Sequence, residues 1–184
     1  MIPNFDHNQV LPPHLGNPVS ITDLSPYLCT SEELCHKFCT SPERTSILKN
    51  YLHFREKIRS LGLINAIQWI DGSFLEDIEK QEKRAPRDLD CITIYWEYDM
   101  PFQIKLVGLF PEFYHPVLSK RNYQLDHYPF DAGFSPVKTV EMTRYWSQLF
   151  SHNRNGVWKG LLSLQLNTIT EDANALNYIQ SLTP

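Results

Sequence analysis

Two acidic residues at the start of an apolar run are the side chains in this sequence best suited to catalysis. Asp88 and Asp90 flank Leu89 and lead into the strand-like run 91–96. Because the side chains of a strand alternate between its two faces, we expect both carboxylates to point the same way. Carboxylates this close repel each other unless a divalent cation or a shared proton lies between them. The pair therefore predicts a binding site for Mg²⁺ or Mn²⁺.

A Gly-Ser pair further upstream predicts a phosphate-binding turn. Gly72 and Ser73 follow the apolar run 64–70, and we expect them to open a helix that continues to about Ile78. Backbone N–H groups at such a turn, together with the Ser73 hydroxyl, can hold the phosphates of a nucleoside triphosphate. The cations that could reach the phosphate tail are Arg87, Arg154 and Lys159.

A third carboxylate, Asp126, completes the set. We expect a strand over residues 123–128, stopped by Pro129, that places Asp126 on one face with Gln124 and Tyr128. Each feature alone has a simpler explanation, since Asp-x-Asp pairs and single aspartates often lie in solvated loops. Their succession in the order apolar strand, Gly-Ser, spacer, Asp-x-Asp and apolar strand favours a site for a metal and a nucleotide.

The order of predicted helices and strands along the chain indicates an α/β (α+β) fold. We expect a small mixed sheet flanked by helices, with an N-terminal helical extension. A Pro-rich, extended lead-in covers residues 1–28. We expect helices over 31–38, 42–61, 101–119 (interrupted by Pro111 and Pro116), 139–150 and 172–182, and strands over 64–70, 89–96, 123–128 and 159–166. We assign 1–184 to one domain, with the lead-in and helices over 1–62, a catalytic core over 63–166 and a C-terminal helix over 167–184.

The composition limits the classes of partner. The chain has 184 residues, a net charge of −4 and a pI near 5.9. An acidic chain has no global basic field for duplex DNA or anionic membranes. No apolar run approaches the length that spans a membrane, so we expect a soluble, cytoplasmic protein. The four cysteines lack the paired spacing of a zinc site and are expected to be reduced thiols.

The motif resembles the signature of the DNA polymerase β nucleotidyltransferase superfamily. It is carried by Gly72-Ser73, the spacer 74–87, slightly longer than usual, and Asp88-Leu89-Asp90-Cys91. Asp126 matches that superfamily's third carboxylate. Almost the whole chain is also similar to a small bacterial family of nucleotidyltransferase-like proteins. That similarity is carried by residues 11–16, 30–34, 70–74, 87–90, Trp146, 154–156 and 159–160.

The resemblance implies the magnesium-dependent transfer of a nucleoside monophosphate from an NTP to a protein, RNA or nucleotide acceptor. Asp88 and Asp90 would hold both metal ions, and Asp126 would hold the catalytic ion and help to deprotonate the acceptor hydroxyl. Small members of the superfamily often act in toxin–antitoxin or antiphage systems, where some modify a partner protein or RNA. The absence of an evident basic face argues mildly against long nucleic acid.

Two rival classes of function are open at this point. The fold could be a catalytically silent binding module, such as an antitoxin, with the lead-in and the apolar region 101–118 as its surfaces. A metal-dependent phosphatase or nuclease would use the same acids, but His127 is expected on the opposite face from Asp126, and His152 lies in a turn. The presence of all three carboxylates favours the active nucleotidyltransferase.

Overall fold

A computed structural model describes residues 1–182, which form a mixed five-stranded sheet and seven α-helices. The predicted α/β class with a small mixed sheet is confirmed. The strands are β1 (Tyr27–Leu28), β2 (Ala66–Asp71), β3 (Leu89–Tyr95), β4 (Leu125–Asp131) and β5 (Leu162–Gln165). The helices are α1 (Ser31–Phe38), α2 (Pro42–Ser60), α3 (Ile78–Glu82), α4 (Met100–Leu109), α5 (Pro116–Tyr123), α6 (Pro136–Phe150) and α7 (Ile169–Leu182).

The strand order across the sheet is β1-β5-β2-β3-β4. The central β2 pairs antiparallel with β3 and β5, whereas β3–β4 and β1–β5 are parallel pairs. The parallel pairing brings the starts of β3 and β4 to one end of the sheet, and the antiparallel pairing brings the end of β2 to the same place. The topology thus gathers residues from three separate parts of the sequence.

Capping residues fix the starts of the first two helices where the sequence predicts them. Thr30 Oγ1 accepts from the Glu33 backbone N–H at 3.1 Å, and the Glu33 carboxylate accepts from the Thr30 N–H at 3.1 Å. This reciprocal pair is a capping box for α1. The Ser41 side chain caps α2 by accepting from a first-turn N–H. Both predicted helices are confirmed.

The sheet separates a large apolar core from a small one. The large core joins one face of the sheet to α1, α2, α4 and α7, through residues such as Leu34, Phe54, Leu106 and Ile179. The small core, on the other face, contains Ile92, Ile94, Phe130, Leu161 and, from α6, Trp146 and Phe150. Strand alternation places Asp88 and Asp90 on the side of the small core, since they share a face of β3 with Ile92 and Ile94.

The predicted start of the third strand is wrong. Tyr123 still belongs to α5, and Gln124 then turns the chain in a left-handed conformation with φ of 57° before β4 begins at Leu125. Gln124 therefore does not share a face with Asp126. Its side-chain oxygen accepts a hydrogen bond from Asn50 of α2 at 2.9 Å. A left-handed turn of this kind has no periodicity signal in the sequence.

Pro129 does not stop β4, which continues to Asp131. β4 is an edge strand that pairs with β3, so the N–H that proline lacks can lie on the unpaired side. Other predicted boundaries shift by a few residues: α6 begins at Pro136 and β5 is restricted to Leu162–Gln165.

The helix predicted to open at Gly72 is also wrong. A 3₁₀ turn, Ser73–Leu75, leads into extended backbone, and α3 begins after it. The buried guanidinium of Arg44 donates to the carbonyls of Phe74 and Glu76, at 2.7 Å each. Because a helix uses these carbonyls for its own hydrogen bonds, the contacts from α2 hold the segment in a different conformation.

The lead-in packs along the domain. Val10 forms an isolated β-bridge with Glu76, and the Asp77 N–H donates to the Gln9 carbonyl at 2.9 Å. Leu11 is fully buried in the large core. The lead-in also supplies β1, which the sequence does not predict. Through the contacts of Gln9 and Val10, the lead-in supports the segment between β2 and β3.

The four cysteines are free thiols, of which Cys35 and Cys91 are buried. Among the helices of residues 1–182, none combines the length and the apolar character needed to cross a membrane.

Candidate functional site

Three aspartates lie side by side at one end of the sheet. Asp71 of β2 is aligned with Asp90 of β3, and Asp90 is aligned with Asp126 of β4. Asp88 precedes Asp90 by two residues and so points to the same face. The structure thus brings together the three predicted carboxylates and adds Asp71 to them.

Gly72 lets the turn after β2 pass directly against the Asp90 carboxylate. Its φ of +84° lies in the left-handed region that favours glycine. A Cβ at this position would lie 2.3 Å from Asp90 Oδ2 and 2.8 Å from Asp90 Cγ. The predicted Gly72-Ser73 turn therefore lies beside the predicted acids, and a side chain at residue 72 would displace the Asp90 carboxylate.

Lys159 is a buried cation that links the elements at this end of the sheet. Its Nζ lies 2.9 Å from Asp71 Oδ1, 3.0 Å from Glu76 Oε1 and 3.0 Å from the Gly72 carbonyl oxygen. The Lys159 side chain is only 1% exposed. Burial alone lowers the pKa of this ammonium, but Asp71 and Glu76 raise it above its ordinary value. The lysine predicted to reach the phosphate tail is engaged with protein acceptors at the floor of the site.

Two of these acids have raised pKa values, chiefly because they are buried. Burial, and after it the charges of Asp88, Asp71 and Asp126, raise the pKa of Asp90 to about 7. Burial raises the pKa of Asp71 to about 6, although Lys159 offsets part of the effect. Such shifts arise when carboxylates are buried and lie close enough to repel one another. A divalent cation would relieve the same repulsion.

Lys120 of α5 contacts two of the predicted metal ligands. Its Nζ lies 2.5 Å from Asp88 Oδ2 and 3.7 Å from Asp126 Oδ2. The hydrogen bond to Asp88 raises the pKa of Lys120, so the ammonium stays charged. The Lys120 side chain is 53% exposed, whereas the side chains of Asp88 and Asp126 are mostly buried. A half-exposed cation thus lies against two of the acids.

The donor atoms fit a hard divalent cation in type. Within residues 1–182, no set of three or more His, Cys, Asp or Glu side chains is gathered closely enough to hold a metal ion as it stands. Asp88, Asp90 and Asp126 nevertheless offer the carboxylate oxygens that Mg²⁺ and Mn²⁺ prefer. Gly72 leaves beside Asp90 the space that a Cβ would fill.

A cavity of about 480 Å³ opens over the acids and has two unlike walls. One wall is polar and includes the Gly72-Ser73 turn and the carboxylates. The other wall is aromatic and apolar, and it consists of Tyr128, Tyr145, Trp146, Leu149 and Phe150. The rings of Tyr128 and Trp146 are in contact, with centroids 5.2 Å apart. The cavity is large enough for a small polar molecule that carries an aromatic group.

A second hollow of about 350 Å³ adjoins the cavity and is predominantly basic. Its lining residues are Ser73, Glu82, Arg84, Arg87, Asp88, Lys120 and Arg154. The structure thus brings Ser73 together with Arg87 and Arg154, two of the three cations predicted to reach a phosphate tail. Four cations against two acids make this hollow suited to an anion.

Sequence reasoning missed Asp71, Glu76, Arg84 and Lys120. Asp71 carries a usable signal, because alternation from Ile67 through Trp69 places it on the face of the small core at the end of β2. Lys120 has none, since its approach to Asp126 depends on the left-handed turn between α5 and β4.

A family model described as "Family of unknown function (DUF6932)" matches residues 3–165, and the chain belongs to this family. The matched range contains every residue placed in the site above. No curated protein and no solved structure matches the chain.

Proposed function

We propose that this protein is a metal-dependent nucleotidyltransferase, which transfers a nucleoside monophosphate from an NTP to an acceptor hydroxyl. The observation that carries the proposal is the alignment of Asp90 with Asp126, with Asp88 on the same face, beside the Gly72-Ser73 turn. Acids on one face can hold divalent cations, and the backbone N–H groups and hydroxyl of a Gly-Ser turn can hold phosphate.

Each acid has a role in the proposed reaction. Asp88 and Asp90 hold the cations, and Asp126 also takes the proton of the acceptor hydroxyl. The acceptor oxygen then bonds to the α-phosphorus, and the bond from that phosphorus to the oxygen bridging to the β-phosphate breaks, so pyrophosphate leaves. Bound divalent cations would reduce the repulsion between the attacking oxygen and the phosphates and stabilise the leaving group.

The basic hollow is the proposed site for the β- and γ-phosphates. Ser73 and the arginines that line it, Arg84, Arg87 and Arg154, supply donors for phosphate oxygens. Lys159 does not line this hollow. It fixes the Gly72-Ser73 turn indirectly, because it binds Asp71, Glu76 and the Gly72 carbonyl.

The aromatic wall of the cavity is the proposed site for the nucleoside. Tyr145 and Leu149 are each 50% exposed, so their surfaces are free to contact a planar base. Stacking on aromatic side chains is tolerant of base identity. The arrangement of acids between an aromatic wall and a basic hollow matches the three parts of an NTP.

The proposed acceptor is a protein side chain, an RNA end or a nucleotide, as in toxin–antitoxin or antiphage systems. A net charge of −4 favours acceptors other than long nucleic acid. We infer that the protein works in the cytoplasm, where NTPs are available and thiols stay reduced.

Thermal denaturation with MgCl₂ or MnCl₂ and each NTP in turn tests the proposal. We expect at least one NTP to raise the melting temperature when metal is present, and we expect Asp88→Asn to abolish the effect. Glu43→Gln, which removes one exposed charge on α2, is the matched control and should respond like the wild type. Lysate proteins and RNA incubated with α-labelled NTP should then acquire label. Failure of every NTP to stabilise the wild type would contradict the proposal.

The binding module is the second candidate, and the exposed apolar side chains of α4 and α5 favour it. Ile104, Leu109 and Val117 are 65%, 52% and 78% exposed. In this case the double variant Asp88→Ala, Asp90→Ala should co-purify with a stoichiometric protein from the native host as well as the wild type does. Loss of the co-purifying protein in that variant would argue against it.

A further inference from the structure

Lys120 reaches the predicted metal ligands from outside the sheet. It lies in the last turn of α5, where the buried Ser119 hydroxyl donates to the Leu125 carbonyl at 2.9 Å. This contact and the turn at Gln124 fix the end of the helix beside the start of β4. The Lys120 backbone is therefore anchored next to Asp126, while its side chain remains half exposed.

We propose that Lys120 is an exchangeable counter-cation, which holds Asp88 and Asp126 in the metal-free protein and moves to the nucleotide's phosphates when a divalent cation enters. The inference rests on the proposed function, because it assigns Lys120 a role at the same metal and nucleotide site. It makes Lys120 a binding residue that couples the binding of metal to the binding of nucleotide.

The charges around the acids explain why Lys120 has this role rather than Lys159. Lys159 is buried and bound to Asp71, Glu76 and a carbonyl. Its departure would leave two buried acids without a counter-charge, which is energetically costly. Lys120 pairs with Asp88 and Asp126 at the edge of the cavity and is open to water. One lysine is a fixed part of the fold, and the other can exchange.

A divalent cation and the Lys120 ammonium compete for the same oxygens. Asp88 Oδ2 lies 2.5 Å from Nζ, so a cation bound to that oxygen would lie within a few ångströms of a like charge. The ammonium must therefore move away when metal binds.

The basic hollow offers Lys120 a second position. Lys120 lines this hollow together with Ser73, Arg84, Arg87 and Arg154. Without an anion there, the ammonium would be repelled by the arginines, and with phosphates there it would gain strong acceptors. Phosphate in the hollow and metal at the acids should thus favour each other, which is the reciprocity that coupled sites require.

The test compares two affinities in Lys120→Met. The first is for Mn²⁺ alone, measured from the free-ion signal in electron paramagnetic resonance. The second is for the Mn²⁺ complex of inorganic tripolyphosphate, a probe that needs no knowledge of the base. We expect Lys120→Met to bind Mn²⁺ alone about five- to tenfold more tightly and the tripolyphosphate complex about five- to tenfold more weakly.

Arg121→Gln is the matched control, because it removes one positive charge from the neighbouring, exposed position of α5 and does not line either cavity. It should leave both affinities within about twofold of the wild type. Lys120→Arg should keep the wild-type order of affinities and serves as the second variant if Lys120→Met fails to fold.

The possible outcomes are distinct. Opposite changes in the two affinities support the proposal. A Lys120→Met variant that binds both probes more weakly, or both unchanged, would overturn it while the wild type's metal binding still supports the proposed function. If the wild type binds neither probe, the proposed function and the inference fail together.

Discussion

Buried polar groups are paired differently on the two faces of the sheet. On the helix-covered face, Arg55 donates to Asp172 and Gln68 at 2.8 Å each, and Gln68 donates to Thr93 at 3.0 Å. Thr93 continues the chain to His127, whose Nε2 lies 2.8 Å from its hydroxyl oxygen. The network runs from α7 through α2 into the centre of the sheet.

On the face that carries the small core, the acids at the end of the sheet outnumber the cations that contact them. On the helix-covered face, burial lowers the pKa of His127 to about 3, and the ring stays neutral beside a hydroxyl. On the face of the small core, burial and like charges raise the pKa of Asp90 to about 7. Compensated polar groups stabilise a fold, whereas perturbed groups gathered in a cleft are candidates for a functional site. By this criterion the Arg55 network is structural, and the acids at the end of the sheet are the candidates for function.

Replacement of Arg55 should give the largest effect on stability. Arg55→Met leaves Asp172 and Gln68 buried with fewer partners, and we expect a loss of about 3–5 kcal/mol in the free energy of unfolding. Urea denaturation followed by circular dichroism measures this loss. Asp88→Asn, on the face of the small core, should lower the free energy of unfolding far less under the same conditions. Similar losses for the two variants would erase the distinction between the faces.

Gly72→Ala should destabilise the protein and impair metal binding. The added methyl group would lie 2.3 Å from Asp90 Oδ2, and the backbone would be strained at φ of +84°. Gly156→Ala is the matched control, since Gly156 has a φ of +74° and open space around its Cβ position. We expect Gly72→Ala to cost about 2 kcal/mol more than the control in urea denaturation. Equal costs would mean that the close approach to Asp90 is unimportant.

Removal of the Asp90 charge should stabilise the protein at high pH. The pKa of Asp90 is about 7 in the folded protein, against about 3.9 in an unfolded chain. Between these values the folded state binds more protons, so stability falls as the pH rises through this window. We expect the stability advantage of Asp90→Asn over the wild type to grow by about 3 kcal/mol between pH 4.5 and pH 8.

Melting curves of both proteins across this pH range provide the measurement. Glu43→Gln, which removes an exposed carboxylate of α2, is the control and should gain no stability over the wild type as the pH rises. A constant difference between Asp90→Asn and the wild type at all pH values would show that Asp90 is not the group that titrates.

Truncation of the aromatic wall should have the smallest effect. Tyr145→Ala removes a half-exposed ring, and we expect an NTP to bind about five- to tenfold more weakly through loss of stacking. The affinity for the Mn²⁺–tripolyphosphate complex should not change, since that probe has no base. Calorimetric titration of both ligands measures the two affinities. An equal loss for both would place the base elsewhere.

Most of the fold follows from local sequence signals. Capping residues at 30–31 and 40–41 and apolar periodicity predict α1 and α2, and the apolar run after Asp88 predicts β3. The segment after Gly72 escapes prediction because Arg44, distant in sequence, takes the carbonyls that a helix would use. Local preference loses to a tertiary contact at that point.

The site is predictable where it depends on strand alternation. That rule places Asp88 and Asp90 on one face, and the parallel register then puts Asp126 beside Asp90. Lys120 and Glu76 enter the site through turns whose geometry depends on the assembled fold. The fixed role of Lys159 likewise could not be inferred from its position in a polar stretch.

The most direct test of the central claim is an anomalous difference map from a crystal soaked with Mn²⁺ and the stabilising NTP. We expect a manganese peak within bonding distance of oxygens of Asp88, Asp90 and Asp126, with the triphosphate extending past Ser73 toward Arg87 and Arg154. A map without manganese at these carboxylates, in a crystal that retains the nucleotide, would contradict it.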